Sequence, residues 1–66
     1  MNITVNGKVR TLEKPCTLNG LLKSGNIDPK TVVIEQNGEV PDRADWENIN
    51  ISNGDIIEIL KFMGGG

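Results

Sequence analysis

The sequence contains no histidine, one cysteine (Cys16) and a single pair of aromatic residues, Trp46 and Phe62. Each shortage closes off a class of chemistry. Without histidine and with one thiol, a zinc site lacks its ordinary ligands. There is no internal disulfide and no CxxC metal motif. The same shortage disables most catalysis that pairs a nucleophile with a neighbouring base. One aromatic pair offers no series of stacking platforms for bases. Seven basic residues against nine acidic ones, a net charge of −2, leave no basic patch for a phosphate backbone. The expectation is that nucleic acid is not a partner.

Long apolar runs are missing too. None approaches the ~20 residues that cross a bilayer. Met1-Asn2-Ile3-Thr4 has no basic segment followed by an apolar one, so no signal peptide is read there. The expectation is a cytoplasmic protein that makes no use of a membrane.

What remains suits one small domain. A chain of 66 residues buries only about 60% of its unfolded surface, which keeps its stability modest. Hydrophobic residues at 36% and charged residues at 24% match a compact domain rather than a disordered chain. Carboxylates survive as reactive groups, but so short a chain has little room for a concave substrate pocket. The chain is expected to be no enzyme by itself and to hold no metal or cofactor of its own.

Ile3 and Val5 alternate with Asn2 and Thr4, the period of a strand. Asn6-Gly7 then signals a hairpin, because both residues tolerate positive φ, and a second strand is expected over residues 8–13. Two registers are open. A two-residue turn sets Val5 against Lys8 and Thr4 against Val9, which puts Val9 on the polar face. A three-residue loop with Gly7 in a bulge pairs Ile3 with Val9 and joins the apolar residues. The hydrophobic pattern favours the bulge.

Pro15 ends that strand, and Thr17 is a suitable N-cap. Leu18, Leu21 and Leu22 form one apolar stripe on a short helix. Gly25 suits a left-handed C-cap, and Gly20 costs the helix up to ~1 kcal/mol relative to alanine. Cys16, at the helix entrance, reads as a small packing residue. After a loop punctuated by Pro29, the β-branched run Thr31-Val32-Val33-Ile34 predicts a third strand as far as Gln36. Asn37-Gly38 is a second turn, and Glu39-Val40-Pro41 is a short strand stopped by proline. Trp46 reads as a lid on the core, and Asn48-Ile49-Asn50-Ile51 as a brief edge strand.

The last strand, reached through Ser52-Asn53-Gly54-Asp55, is apolar on both faces. Ile57 and Ile59 fall on one side, Ile56, Leu60 and Phe62 on the other. Such a strand is central. The single helix covers one face and leaves the other open. Two N-terminal strands, one crossing helix and a central last strand make an α+β chain of β-grasp architecture with a mixed sheet.

That strand leads into Phe62-Met63-Gly64-Gly65-Gly66. The division expected is a domain over residues 1–62 and a flexible C-terminal glycine tail over residues 63–66. Glycine has no Cβ, so such a tail is thin and lets another backbone approach closely. Extended, residues 63–66 span roughly 13 Å, enough to thread a terminal carboxylate into another protein. A glycine run taken alone also fits a frayed terminus or a linker scar.

The whole chain resembles the small ubiquitin-like sulfur carriers, especially the ThiS-like carriers of thiamine (thiazole) biosynthesis. The matching stretches are Ile3-Thr4-Val5-Asn6-Gly7, Val33-Ile34-Glu35-Gln36-Asn37-Gly38-Glu39-Val40-Pro41, then Trp46, Asn53-Gly54-Asp55-Ile56-Ile57-Glu58-Ile59 and the closing Gly64-Gly65-Gly66. The family pattern typically ends in two glycines; here there are three.

The resemblance implies a carrier whose C-terminal carboxylate, on Gly66, is adenylated and becomes a thiocarboxylate. Met63, Gly64 and Gly65 would thread into partners, and Leu60 and Phe62 would form the docking face. The implied partners are an adenylating, E1-like enzyme, which uses the ATP, and a thiazole synthase. The free carrier is expected to be monomeric. Alternative roles are molybdopterin or amino-acid sulfuration, a non-covalent β-grasp binding module, or conjugation to lysines.

Overall fold

The computed structural model describes residues 1–62; the expectations for Met63, Gly64, Gly65 and Gly66 lie outside the described residues. In chain order come β1 (Asn2–Val5), β2 (Lys8–Thr11), α1 (Leu18–Ser24), β3 (Val32–Gln36) and β4 (Ile56–Lys61). Two 3-10 turns, Pro29–Thr31 and Arg43–Asp45, flank β3. The sheet order is β2-β1-β4-β3. β4 lies parallel to β1 and antiparallel to β3, so the last strand is central, as its two apolar faces predict.

The first hairpin corrects the favoured register. β1 and β2 pair Val5 with Lys8, Thr4 with Val9 and Ile3 with Arg10, the two-residue alternative. Asn6 and Gly7 have φ of 50° and 82°, the mirror-image turn whose twist matches that of the flanking strands. Val9 therefore stands on the sheet face away from the core and is 72% exposed. Turn geometry outweighs the burial of one valine.

Helix α1 starts as expected. Thr17 is extended, and its hydroxyl accepts from the Gly20 N–H at 3.1 Å, satisfying a first-turn donor. Its end is different. Gly25 has φ −99°, and the left-handed residue is Asn26, at φ 56°. The Asn26 N–H donates to the Lys23 carbonyl and the Ile27 N–H to the Leu22 carbonyl. This is the Schellman pattern, with asparagine in the position glycine more often takes.

Leu18, Leu21 and Leu22 of α1 pack on Ile3 and Val5 of β1, Val32 and Ile34 of β3 and Ile57 of β4. Trp46 and Ile51 complete this core, Trp46 at 1% exposure with its ring N–H donating to the Pro41 carbonyl at 3.1 Å. The indole is a core member rather than a lid. Cys16 packs at the core margin, in line with its reading as a packing residue.

Neither expected minor strand forms. Residues 39–41 contribute one bridge, Gln36 to Glu39, and residues 48–51 one bridge, Asn50 to Thr17. The second segment runs past the helix entrance: the Leu18 N–H donates to the Ile49 carbonyl, and the Ile51 N–H to the Cys16 carbonyl. Its backbone is thus satisfied by the helix cap region instead of a sheet edge.

Candidate functional site

Strand β4 ends at Lys61 and Phe62 is the last described residue, so the contacts that anchor β4 fix the C-terminal end of the described domain. The turn leading into β4 is held by a carboxylate. Asp55, 8% exposed, accepts from the Asn37 amide at 3.0 Å, the Gln36 amide at 3.1 Å and the Ser52 N–H at 2.8 Å. Burial pushes its carboxyl pKa up, but the hydrogen bonds from Asn37, Ser52 and Gln36 outweigh it and hold the group below its ordinary value. Asn37 continues the work, since its Oδ1 accepts from the Ile56 N–H at 2.9 Å and its own N–H donates to the Ile56 carbonyl.

Further along, the Asn6 side chain takes over. Its Oδ1 accepts from the Ile59 N–H at 2.8 Å. The Asn6-Gly7 and Asn37-Gly38 turns therefore serve β4 as well as their own hairpins, because each of these asparagines combines a positive φ with an amide free to bond a neighbouring strand. At the far end the Phe62 N–H donates to the Thr31 carbonyl at 3.0 Å.

The face of β4 that α1 leaves open carries Ile56 and Leu60, with Phe62 just beyond the strand, exposed by 57%, 52% and 54%. Across the sheet Thr4 stands between Val9 and Ile56, and Val33 lies opposite Leu60. The expected docking residues Leu60 and Phe62 thus share this open face with Ile56 and, on the far side of Thr4, with Val9. Val9 is a member the favoured register hid. Glu58 and Glu35 stand opposite one another on this same face, a pairing that is electrostatically unfavourable within the sheet.

Sequence reading also missed Arg43. Its Nε–H donates to the Pro29 carbonyl at 2.9 Å, and its Nη2 donates to the Val32 carbonyl at 2.8 Å. The guanidinium carbon lies 5.1 Å from the Trp46 ring centroid and 5.9 Å from that of Phe62, within the range of cation–π attraction. An arginine three residues before the one tryptophan was the available signal. Nothing in the spacing connected it to Phe62.

Among the described residues, no group of three His, Cys, Asp or Glu side chains converges to hold a metal ion, and no helix is long and apolar enough to cross a membrane.

The crystal structure of a thiamine biosynthesis protein (ThiS) from Geobacter metallireducens superposes with a TM-score of 0.86 at 38% identity, covering 100% of both chains. Sulfur carrier protein ThiS of Bacillus subtilis is 32% identical over 97% of this chain and 98% of its own. A thiazole synthase of Paramagnetospirillum magneticum is 30% identical over the whole of this chain, which spans only 20% of that longer protein. The β-grasp fold is thus that of a solved ThiS. With the sequence model of the ThiS family matching residues 3–66, the chain belongs to that family.

Proposed function

We propose that the chain is a sulfur carrier of thiamine biosynthesis and that Gly66 carries the sulfur. The observation behind this is that the family match runs through residue 66. The glycine run therefore lies inside the family pattern, which a frayed end or an appended linker does not explain.

The chemistry asks little of the chain. A Gly66 carboxylate oxygen attacks the α-phosphorus of ATP, and pyrophosphate leaves. The acyl-adenylate is then attacked at its carbonyl carbon by hydrosulfide. AMP departs with the former carboxylate oxygen, one proton is released, and a thiocarboxylate remains. Glycine leaves that acyl carbon unhindered. Acid–base and electrostatic catalysis belong to the adenylating enzyme, so the carrier acts as its substrate, binds no cofactor itself and takes its activation from ATP held by the partner. Met63, Gly64 and Gly65 serve as the threading segment, and the Leu60–Phe62 face, with Ile56 and Val9, is the docking surface.

Two named thiazole synthases, of Paramagnetospirillum magneticum and Magnetococcus marinus, contain a stretch similar to the entire chain as one fifth of their length. That arrangement favours a thiazole synthase as the sulfur acceptor over molybdopterin or amino-acid sulfuration. Removing Gly65 and Gly66 tests the reading. Pyrophosphate exchange by the adenylating enzyme is expected to vanish with the fold unchanged, whereas full exchange by the truncated chain would favour a non-covalent binding module.

A further inference from the structure

Phe62 is the last described residue before the glycine run, and burial does not hold it in place, since it is 54% exposed. Its position rests on two contacts. Its N–H meets the Thr31 carbonyl, and its ring lies beside the Arg43 guanidinium. Arg43 is itself unusually constrained for a surface arginine. It spans the Pro29 and Val32 carbonyls, one before and one within the edge strand β3, and stacks on the buried Trp46. The planar fork uses separate N–H groups for the two carbonyls while leaving its faces available to rings. One side chain thereby connects the core indole, the edge strand and the exit of β4.

We propose that Arg43 is a positioning residue for the carrier reaction: by fixing Phe62 it holds still the end of the domain from which the threading segment is presented. The inference rests on the carrier reading above. When the open sheet face docks on an adenylating enzyme, the acyl carbon must arrive at ATP from one place. Letting that end of the domain move adds freedom that must be lost before the acyl carbon reaches ATP, and looser positioning of reacting groups costs rate steeply.

The test is pyrophosphate exchange by the cognate adenylating enzyme with the full chain as substrate, at a temperature where every variant is folded by circular dichroism. Arg43→Ala is expected to lower kcat about tenfold while KM changes less than about threefold, since Leu60, Ile56 and Val9 still dock and the Phe62 side chain, though less fixed, is still present. Arg43→Lys keeps the charge and the stem but cannot hold both carbonyls, so the same loss of kcat is expected with less loss of stability. In a Phe62→Ala background, Arg43→Ala should have no further effect on kcat.

An Arg43→Ala variant with wild-type kcat, or with its full loss retained in the Phe62→Ala background, overturns the proposal while leaving the carrier reading standing. A wild-type chain that supports no exchange, with an enzyme active on a control carrier, overturns the carrier reading and this inference with it.

Discussion

Asn6 reaches across to Ile59, more than fifty positions further on, and bonds it as a neighbouring strand would. Its Oδ1 accepts from the Ile59 N–H at 2.8 Å, and its Nδ2 donates more weakly to the Ile59 carbonyl at 3.4 Å. β1 pairs with β4 only at Thr4 and Val5, so this amide extends the contact between them beyond the end of β1.

Asn6→Gly keeps the positive φ and removes both side-chain bonds; a loss of about 1 kcal/mol is expected in urea unfolding. Asn6→Ala removes the same bonds and keeps a Cβ at positive φ without the polar side chain that lets asparagine tolerate it, for a larger loss of roughly 2 kcal/mol. Equal losses in the two variants would mean that the backbone conformation at this turn costs nothing.

Asp55 supplies a pH dependence. Its carboxyl is held below the ordinary value, so the folded state binds that proton less readily than the unfolded chain does. The resulting stabilisation is fully present above the unfolded carboxylate pKa of about 4 and is lost as pH falls through the lower folded value. Asp55→Ala, which strands the Ser52 N–H and the amides of Asn37 and Gln36, is expected to cost roughly 1–3 kcal/mol at neutral pH. It should also flatten the acid limb of the stability curve. An acid limb as steep as in wild type would place that proton uptake elsewhere.

Leu60→Ala and Val9→Ala truncate side chains on the open face and leave the core intact. Their melting temperatures are expected to stay near wild type, as for most surface substitutions. The KM of the adenylating enzyme for the carrier should rise about tenfold for Leu60→Ala if that residue anchors docking. Unchanged KM in both variants would move the docking surface off this face.

Glu35 and Glu58 oppose one another between Leu60 and Ile56. Glu58→Gln should raise stability by roughly a few tenths of a kcal/mol through relief of like-charge repulsion. Thermal unfolding at low and high salt checks it, because the gain should shrink as salt screens the pair. A gain independent of salt would argue against repulsion.

Much of this fold was legible because local pattern and tertiary role agree. The stripe of Leu18, Leu21 and Leu22 faces the core as its helical spacing implies, and Thr17 caps the helix. Along β4 and into Phe62, Ile57 is buried while Ile56, Leu60 and Phe62 are exposed, as their alternation requires. Failures occurred where a distant partner decides. The register at Val9 follows a turn whose asparagine is fastened to Ile59. The left-handed position after α1 falls on Asn26 rather than Gly25, by a shift of one residue that composition cannot resolve. Arg43 joins Trp46 to Phe62 only because two 3-10 turns bring Pro29 and Arg43 to the same edge of the sheet. No short-range pattern encodes that meeting.

The most direct test of the carrier reading is the mass of the C-terminal peptide after incubation of the intact chain with ATP, the cognate adenylating enzyme and sulfide. Exchange of oxygen for sulfur adds nearly the same mass as oxidising Met1, Met63 or Cys16, so the sample is alkylated and the peptide fragmented. An alkylated sulfur on Gly66, appearing only when ATP and enzyme are both present, is the predicted result. An unmodified Gly66, with the same enzyme loading a control carrier, would contradict it.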